Sequence, residues 1–165
     1  MVHNPGMNAS ASLTDLIHQA TTGDEAALKL VFDATYADLR KLARVRLRRG
    51  DRGEWLDTTV LVHESYLRFA RAGRLSIESR QHFLRYAGHV MRSVIVDFAR
   101  EAQAERRGGF ALHVTLDTAI EGAIAAEEEI LSVHEALDAL AQYDARIVQV
   151  VEMRYFAGMT ETEIA

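Results

Sequence analysis

Apolar side chains recur along this chain at three- and four-residue intervals, the spacing that lines one face of an α-helix. The clearest stripe is Leu28, Val31, Phe32, Thr35, Leu39 and Leu42. It predicts one long helix, capped by Asp24 and running to about Arg49. The end of that helix is basic (Arg44, Arg46, Arg48, Arg49), which suits the negative pole of the helix dipole, and Gly50 and Gly53 stop it. A short helix over Leu13 to Ala20 comes first, set off by the Thr22-Gly23 break. A third helix opens at Asp57 or Thr58 and continues through Arg71, with Leu61, Val62, Tyr66, Phe69 and Ala70 on its inner side. After a polar loop over Ala72 to Ser79, a fourth helix runs from about Arg80 to Arg107. Its inward stripe is Phe83, Ala87, Val90, Met91, Val94, Ile95 and Phe98. Arg85, His89, Arg92 and Arg100 fall on its opposite face.

Gly108-Gly109 ends the fourth helix, and residues 108–126 are patterned loosely enough to predict a linker. A helical pair follows, from Glu127 to about Ala141 and from Asp144 to Phe156. The run Glu127-Glu128-Glu129 would form a favourable first turn. Tyr155, Phe156 and Met159 are expected to pack the next turn inward. Gly158 turns the chain, and Thr160 caps a new helix with Glu163 as its capping-box partner. The expected organisation is a short disordered leader (1–12), a helical domain (13–107), a linker (108–126) and a smaller helical domain (127–165) with little core of its own.

Composition sharpens this picture. Pro5 is the sole proline, so no residue from Met7 onward forbids a helix, and strand-forming runs are scarce. The fold class is therefore all-α, with two small helical domains. With no cysteine, disulfides, thiolate zinc sites and cysteine nucleophiles are excluded, which suits a cytoplasmic location. No apolar run reaches bilayer-spanning length, so no membrane role is expected. The first twelve residues have neither the basic nor the apolar stretch of a signal peptide.

Charge divides the chain. Residues 13–107 carry 17 Lys/Arg against 13 Asp/Glu, whereas residues 108–165 carry 2 against 11, together the 19 and 24 of the whole. An anionic partner such as nucleic acid is plausible for the first part alone. There, Arg85, His89, Arg92 and Arg100 form a face suited to phosphate neutralisation, with Tyr86 beside it for stacking on an unpaired base. By itself such a face is more often simply solvated, tied to Asp97 and Glu101 by weak surface pairs. Catalytic chemistry finds less support. His63-Glu64 lacks the second His of a metalloprotease helix, because Leu67 stands in its place. His82 and His89 have no carboxylate at ligand spacing. Neither a phosphate-binding glycine loop nor a nucleophile elbow occurs. No metal, cofactor or enzymatic activity is expected.

Three segments resemble the extracytoplasmic-function (ECF) sigma factors of RNA polymerase. Leu56 to Arg68 (LDTTVLVHESYLR) is similar to sigma region two, and Phe83 to Arg100 (FLRYAGHVMRSVIVDFAR) is similar to that region's promoter-facing helix. Ala136 to Leu140 and Val151 to Ala165 (VEMRYFAGMTETEIA) resemble the start of region four, up to the first helix of a helix-turn-helix. The resemblance implies a factor that binds core polymerase (the β′ coiled coil and the β flap), recognises promoter DNA and melts the minus-ten element. It would end within region four, before the recognition helix.

The resemblance also assigns roles. Arg85, Tyr86, His89, Arg92 and Arg100 would contact the promoter, with Arg106 and Arg107 adding nonspecific attraction. Ser76, Ser79 and Arg80 lie in the loop that captures a flipped minus-ten base. Asp57, His63, Glu64 and Arg68 match the surface that grips polymerase. Here the chain departs from the family: Thr58, Thr59 and Val60 stand where an acidic pair is usual, and His63 replaces the usual Gln. A less acidic patch weakens attraction to a basic polymerase surface. Phosphorylation of Thr58 or Thr59 would restore the charge, making a Ser/Thr kinase a candidate regulator beside an anti-sigma protein. The plainer role for both threonines is to begin a helix. The rival to the whole reading is a helical adaptor whose basic helix meets an acidic protein partner.

Overall fold

The computed structural model describes residues 12–47, 56–73, 76–108, 118–156 and 159–165. Among them there are helices and no strand, so the chain is all-α, in two helical parts. The first contains α1 (Leu13–Thr21), α2 (Glu25–Leu47), α3 (Thr58–Ala72) and α4 (Arg80–Gly108). The second contains α5 (Thr118–Tyr143), α6 (Ala145–Val151), a π-helical turn (Glu152–Phe156) and α7 (Glu161–Ile164).

Short polar residues set most of the helix starts. The Ser12 hydroxyl accepts from Asp15 N–H at 3.2 Å while the Asp15 carboxylate accepts from the Ser12 N–H at 3.1 Å, closing a capping box on α1. Ser12 thus belongs to the first helix rather than to the leader. As expected, Asp24 caps α2, its carboxylate accepting from Ala26 N–H at 2.9 Å and Ala27 N–H at 3.1 Å. Gly23 (φ 96°) and Gly73 (φ 69°) turn the chain after α1 and α3 in the left-handed region that glycine enters without a Cβ clash. The proposed stops at Gly50 and Gly53 and the basic residues Arg48 and Arg49 lie outside the described residues.

The inward stripes read from the sequence form the core. Leu28, Val31, Phe32, Thr35 and Leu39 of α2 are buried against Leu61, Val62 and Phe69 of α3 and the Phe83–Ile95 stripe of α4. Phe32 sits at the centre, edge-on to Tyr66, Phe69 and Phe83 with ring centroids 5.1 to 5.4 Å away. The two buried hydroxyls stay satisfied: Thr35 donates to the Val31 carbonyl and Ser65 to the Leu61 carbonyl, both at 2.7 Å.

The second part departs from expectation. α5 starts at Thr118, so residues 118–126 of the expected linker are helical, and residues 109–117 lie outside the description. The acidic run therefore lies well inside a helix instead of at its first turn. Glu127 points inward, 1% exposed, and pairs with Arg106 of α4. Ile130 joins the core of the first part, and Leu131 packs against it. α4 is consequently buried on a second side, where Val96 and Ala99 are 3% and 0% exposed. Asp144 caps α6, its carboxylate accepting from Arg146 N–H at 2.8 Å, but α6 buries no residue. The α-helix expected through Phe156 becomes a π-helical turn at Glu152. Tyr155 faces outward at 56% exposure, Met159 is half-buried and the Phe156 side chain is outside the description.

Candidate nucleic-acid interface

α4 is 29 residues long, about 44 Å of rigid rod, and carries most of the expected promoter contacts. Because its apolar stripe anchors in the core, Arg85, His89 and Arg92 project together from another side. That side faces the second helical part. The Arg85 guanidinium donates to Met153 Sδ at 3.6 Å. His89 Nδ1 is 3.2 Å from Glu152 Oε1, and Arg92 Nε is 3.4 Å from the same oxygen. Arg92 Nη2 also lies 3.8 Å from Asp138 Oδ1, and Asp138 pairs in turn with His134 at 3.3 Å. His89, Arg92 and His134 thus converge on two carboxylates, while Arg85 meets a thioether. The π-helical turn widens the backbone just where Glu152 and its neighbour Met153 both meet α4.

The other expected promoter residues are dispersed. Tyr86 is half-buried, edge-on to Phe69 at 5.0 Å and stacked on His89 at 6.5 Å, so its ring helps to roof the core. Arg100 is exposed and lies 3.9 Å from Asp97. Arg106 is committed to Glu127, while Arg107 is exposed. In the expected base-capture loop, Ser76 is exposed, and Ser79 begins α4 by accepting from the His82 N–H at 3.1 Å. Arg80 pairs with Asp38 of α2. Leu75 is outside the description.

The start of α4 is also covered. Glu78, Ser79, His82 and Arg85 share a cleft with Met159 and Glu163. The Glu163 carboxylate accepts from Thr160 N–H at 2.8 Å and from its hydroxyl at 2.9 Å, the capping partnership read from the sequence. Those bonds, with a lesser one from Gln81 of α4, hold Glu163 below its ordinary pKa.

On α3, Asp57 serves as the N-cap, accepting from Thr59 N–H at 2.6 Å and Val60 N–H at 2.8 Å. Thr58 and Thr59 are the first two helical residues, Thr58 half-buried and Thr59 exposed. Thr59 and His63 line a groove with Lys29, Phe32 and Tyr36 of α2, and Glu64 is half-buried nearby. Arg68 turns away to α4, donating to Ser93 at 2.8 Å and Asp97 at 2.6 Å. Among the described residues, no three His, Cys, Asp or Glu side chains gather as metal ligands, and no helix is long and apolar enough to cross a membrane.

Sequence reasoning found the basic face but missed what it meets. Asp138, Glu152 and Met153 carried no separate signal. The acidic surplus after Gly108 was their one trace.

The family model for ECF sigma factors matches residues 10–165. The chain belongs to the ECF sigma factor family. That match spans both helical parts. No curated protein and no solved structure matches the chain. As an ECF sigma factor it is a DNA-binding regulator of transcription initiation, and membership implies binding to core RNA polymerase, to promoter DNA and to anti-sigma factors.

Proposed function

We propose that this sigma factor seats α4 against the minus-ten promoter element while the outer surface of α3 holds polymerase. One observation carries this reading: His89 and Arg92, one turn apart on a rigid helix, converge on a carboxylate oxygen of Glu152, with Arg85 one turn earlier on the same side. Side chains disposed to hold a carboxylate are equally disposed to hold a phosphate, because both are charge-assisted hydrogen-bond acceptors. Arg100 and Arg107 extend the basic face toward the end of the helix. Ser76, Ser79 and Arg80 stand beside its start, where a flipped base would enter. The polymerase performs the chemistry; the sigma factor contributes binding energy that holds the melted strand, and its place of action is the cytoplasm.

On α3, Asp57, His63, Glu64 and Arg68 form the polymerase-facing set, contacting the β′ coiled coil, and the second helical part meets the β flap. Asp57 and Arg68 serve this surface through structure, by capping α3 and by tying it to α4. The missing acidic pair leaves the surface short of charge. Phosphorylation of Thr58 or Thr59 by a Ser/Thr kinase supplies it, and Thr59 is the better placed because it is exposed.

Binding to purified bacterial core polymerase on fork-junction DNA tests this function. The chain, as isolated or with Asp at Thr58 and Thr59, is expected to bind core and recruit the DNA. Failure of both forms to bind core would overturn the proposal in favour of an adaptor.

A further inference from the structure

We infer that Asp38 of α2 is a positioning residue for base capture: it holds the Arg80 guanidinium at the corner where a flipped minus-ten base enters, and the donors left free select a base with two adjacent acceptors. The inference deepens the proposed function and rests on the capture role given there to Ser76, Ser79 and Arg80.

Arg80 stands where its charge is unwelcome to its own helix. It is the first residue of α4, and no acidic residue follows it in the first turn. A cation there faces the positive pole of the helix dipole, which favours anions. Asp38, forty-two residues earlier on α2, supplies the missing carboxylate and is the one partner of Arg80 among the described residues. A residue that breaks a local rule and is held by a partner from another element points to function at that position.

The partner is firmly mounted. Thr35 and Leu39, to either side of Asp38 along α2, are fully buried in the core, so its carboxylate has a fixed origin. The pair nevertheless stays within reach of a ligand, with 51% of the Arg80 side chain and 31% of the Asp38 side chain exposed. An arginine already held along one edge loses less rotamer freedom when a base arrives.

The two serines of the corner offer less. The Ser79 hydroxyl accepts from the His82 N–H as it begins α4, and Ser76 is exposed and uncharged. Arg80 brings several donors and no acceptor. With one terminal nitrogen on Asp38 Oδ2, its remaining N–H groups form a donor-only edge. Guanine matches that edge with O6 and N7. Cytosine matches it with O2 and N3, which become accessible once the base leaves its pair. Adenine and thymine present no adjacent pair of acceptors.

The test uses the full chain on core polymerase with fork-junction DNAs that differ only at the captured minus-ten position, which carries each base in turn or an abasic site. The parent is expected to hold guanine or cytosine about tenfold more tightly than adenine, thymine or the abasic site, the scale of one bidentate pair. The better of the two identifies the edge that is read. Asp38→Ala and Asp38→Asn, with Arg80 intact, are expected to shrink that ratio to about twofold or less, with affinity for the abasic DNA unchanged. Asp38→Glu should recover most of the ratio. A ratio kept in Asp38→Ala and Asp38→Asn but lost in Arg80→Ala would overturn the positioning role and leave the proposed function standing. Equal weakening on abasic and intact DNA would also overturn it, since the pair would then serve structure alone. A parent preference for adenine or thymine would overturn the donor-edge selection. No preference at all in the parent would overturn the capture role and this inference together.

Discussion

Arg106 at the end of α4 closes on both carboxylate oxygens of Glu127, the one buried charged residue among those described. This pair lies between the helix expected to meet DNA and the helix that follows the linker. Glu127 is 2% exposed at its side chain and Arg106 36%, so one partner remains in contact with water. Removing the arginine strands a buried carboxylate. Arg106→Ala is expected to lower stability by about 3 kcal/mol, the modest end for breaking a buried pair. The double variant with Glu127→Gln should recover part of that loss, because no bare charge is then left inside. Chemical denaturation of the four proteins of this cycle measures the coupling, and an additive cycle would show that the pair does not fasten α5 to α4.

Phe69 touches Phe32, Phe83 and Tyr86 with ring centroids 5.0 to 5.3 Å away and is 1% exposed. Phe69→Ala is expected to cost about 3–5 kcal/mol through lost burial and the cavity left behind. Phe69→Leu, which keeps most of the volume but not the edge-on contacts, should cost about 1–2 kcal/mol. Thermal unfolding in matched buffer ranks the two.

The Ser12 hydroxyl and backbone hold Asp15 below its ordinary pKa. A carboxylate depressed in the folded state contributes stability that is fully present above its unfolded pKa and lost as pH falls through the lower folded value. The capping of α1 should therefore weaken only on acidification below the ordinary carboxylate range. Asp15→Asn removes that dependence: it should be less stable than the parent at neutral pH and converge with it in acid. Melting temperature followed from pH 7 down to about 3 checks the sign. A difference that grows on acidification would contradict it.

Thr59 is exposed on the groove shared with Lys29 and His63, one residue beyond the half-buried Thr58. Thr59→Asp is expected to tighten core polymerase binding several-fold, with Thr58→Asp weaker and Thr59→Ala like the parent. Equilibrium binding to labelled core enzyme measures all three. Equal affinities throughout would remove the case for a charge-restored surface.

The first part was almost wholly legible because each of its helices turns an apolar stripe to one core, although α4 is also buried on a second side. Asp24 and the α4 stripe stand where spacing put them. The second part was harder for a physical reason. α5 is apolar enough on several sides that its start was hidden, and the acidic run Glu127–Glu129 imitates a helix beginning. Glu127 is inside only because Arg106, twenty-one residues earlier, comes to meet it. Pairings across that distance leave no periodic trace. The basic face was legible for the same reason as the core, being helical spacing on one rod. Its occupants, Asp138 and Glu152, lie on separate elements brought together by folding. Spacing also cannot show that the ring of Tyr86 leans on Phe69.

Salt dependence of fork-junction binding by the polymerase complex tests the central claim most directly. Each phosphate neutralised by a basic side chain contributes about 0.9 to the slope of log affinity against log salt concentration. If α4 holds the promoter through Arg85 and Arg92, replacing both with Ala should weaken binding and reduce the slope by about 2. Core binding should be unchanged. An undiminished slope with full DNA retention would contradict the account, since the promoter would then be held by some other face.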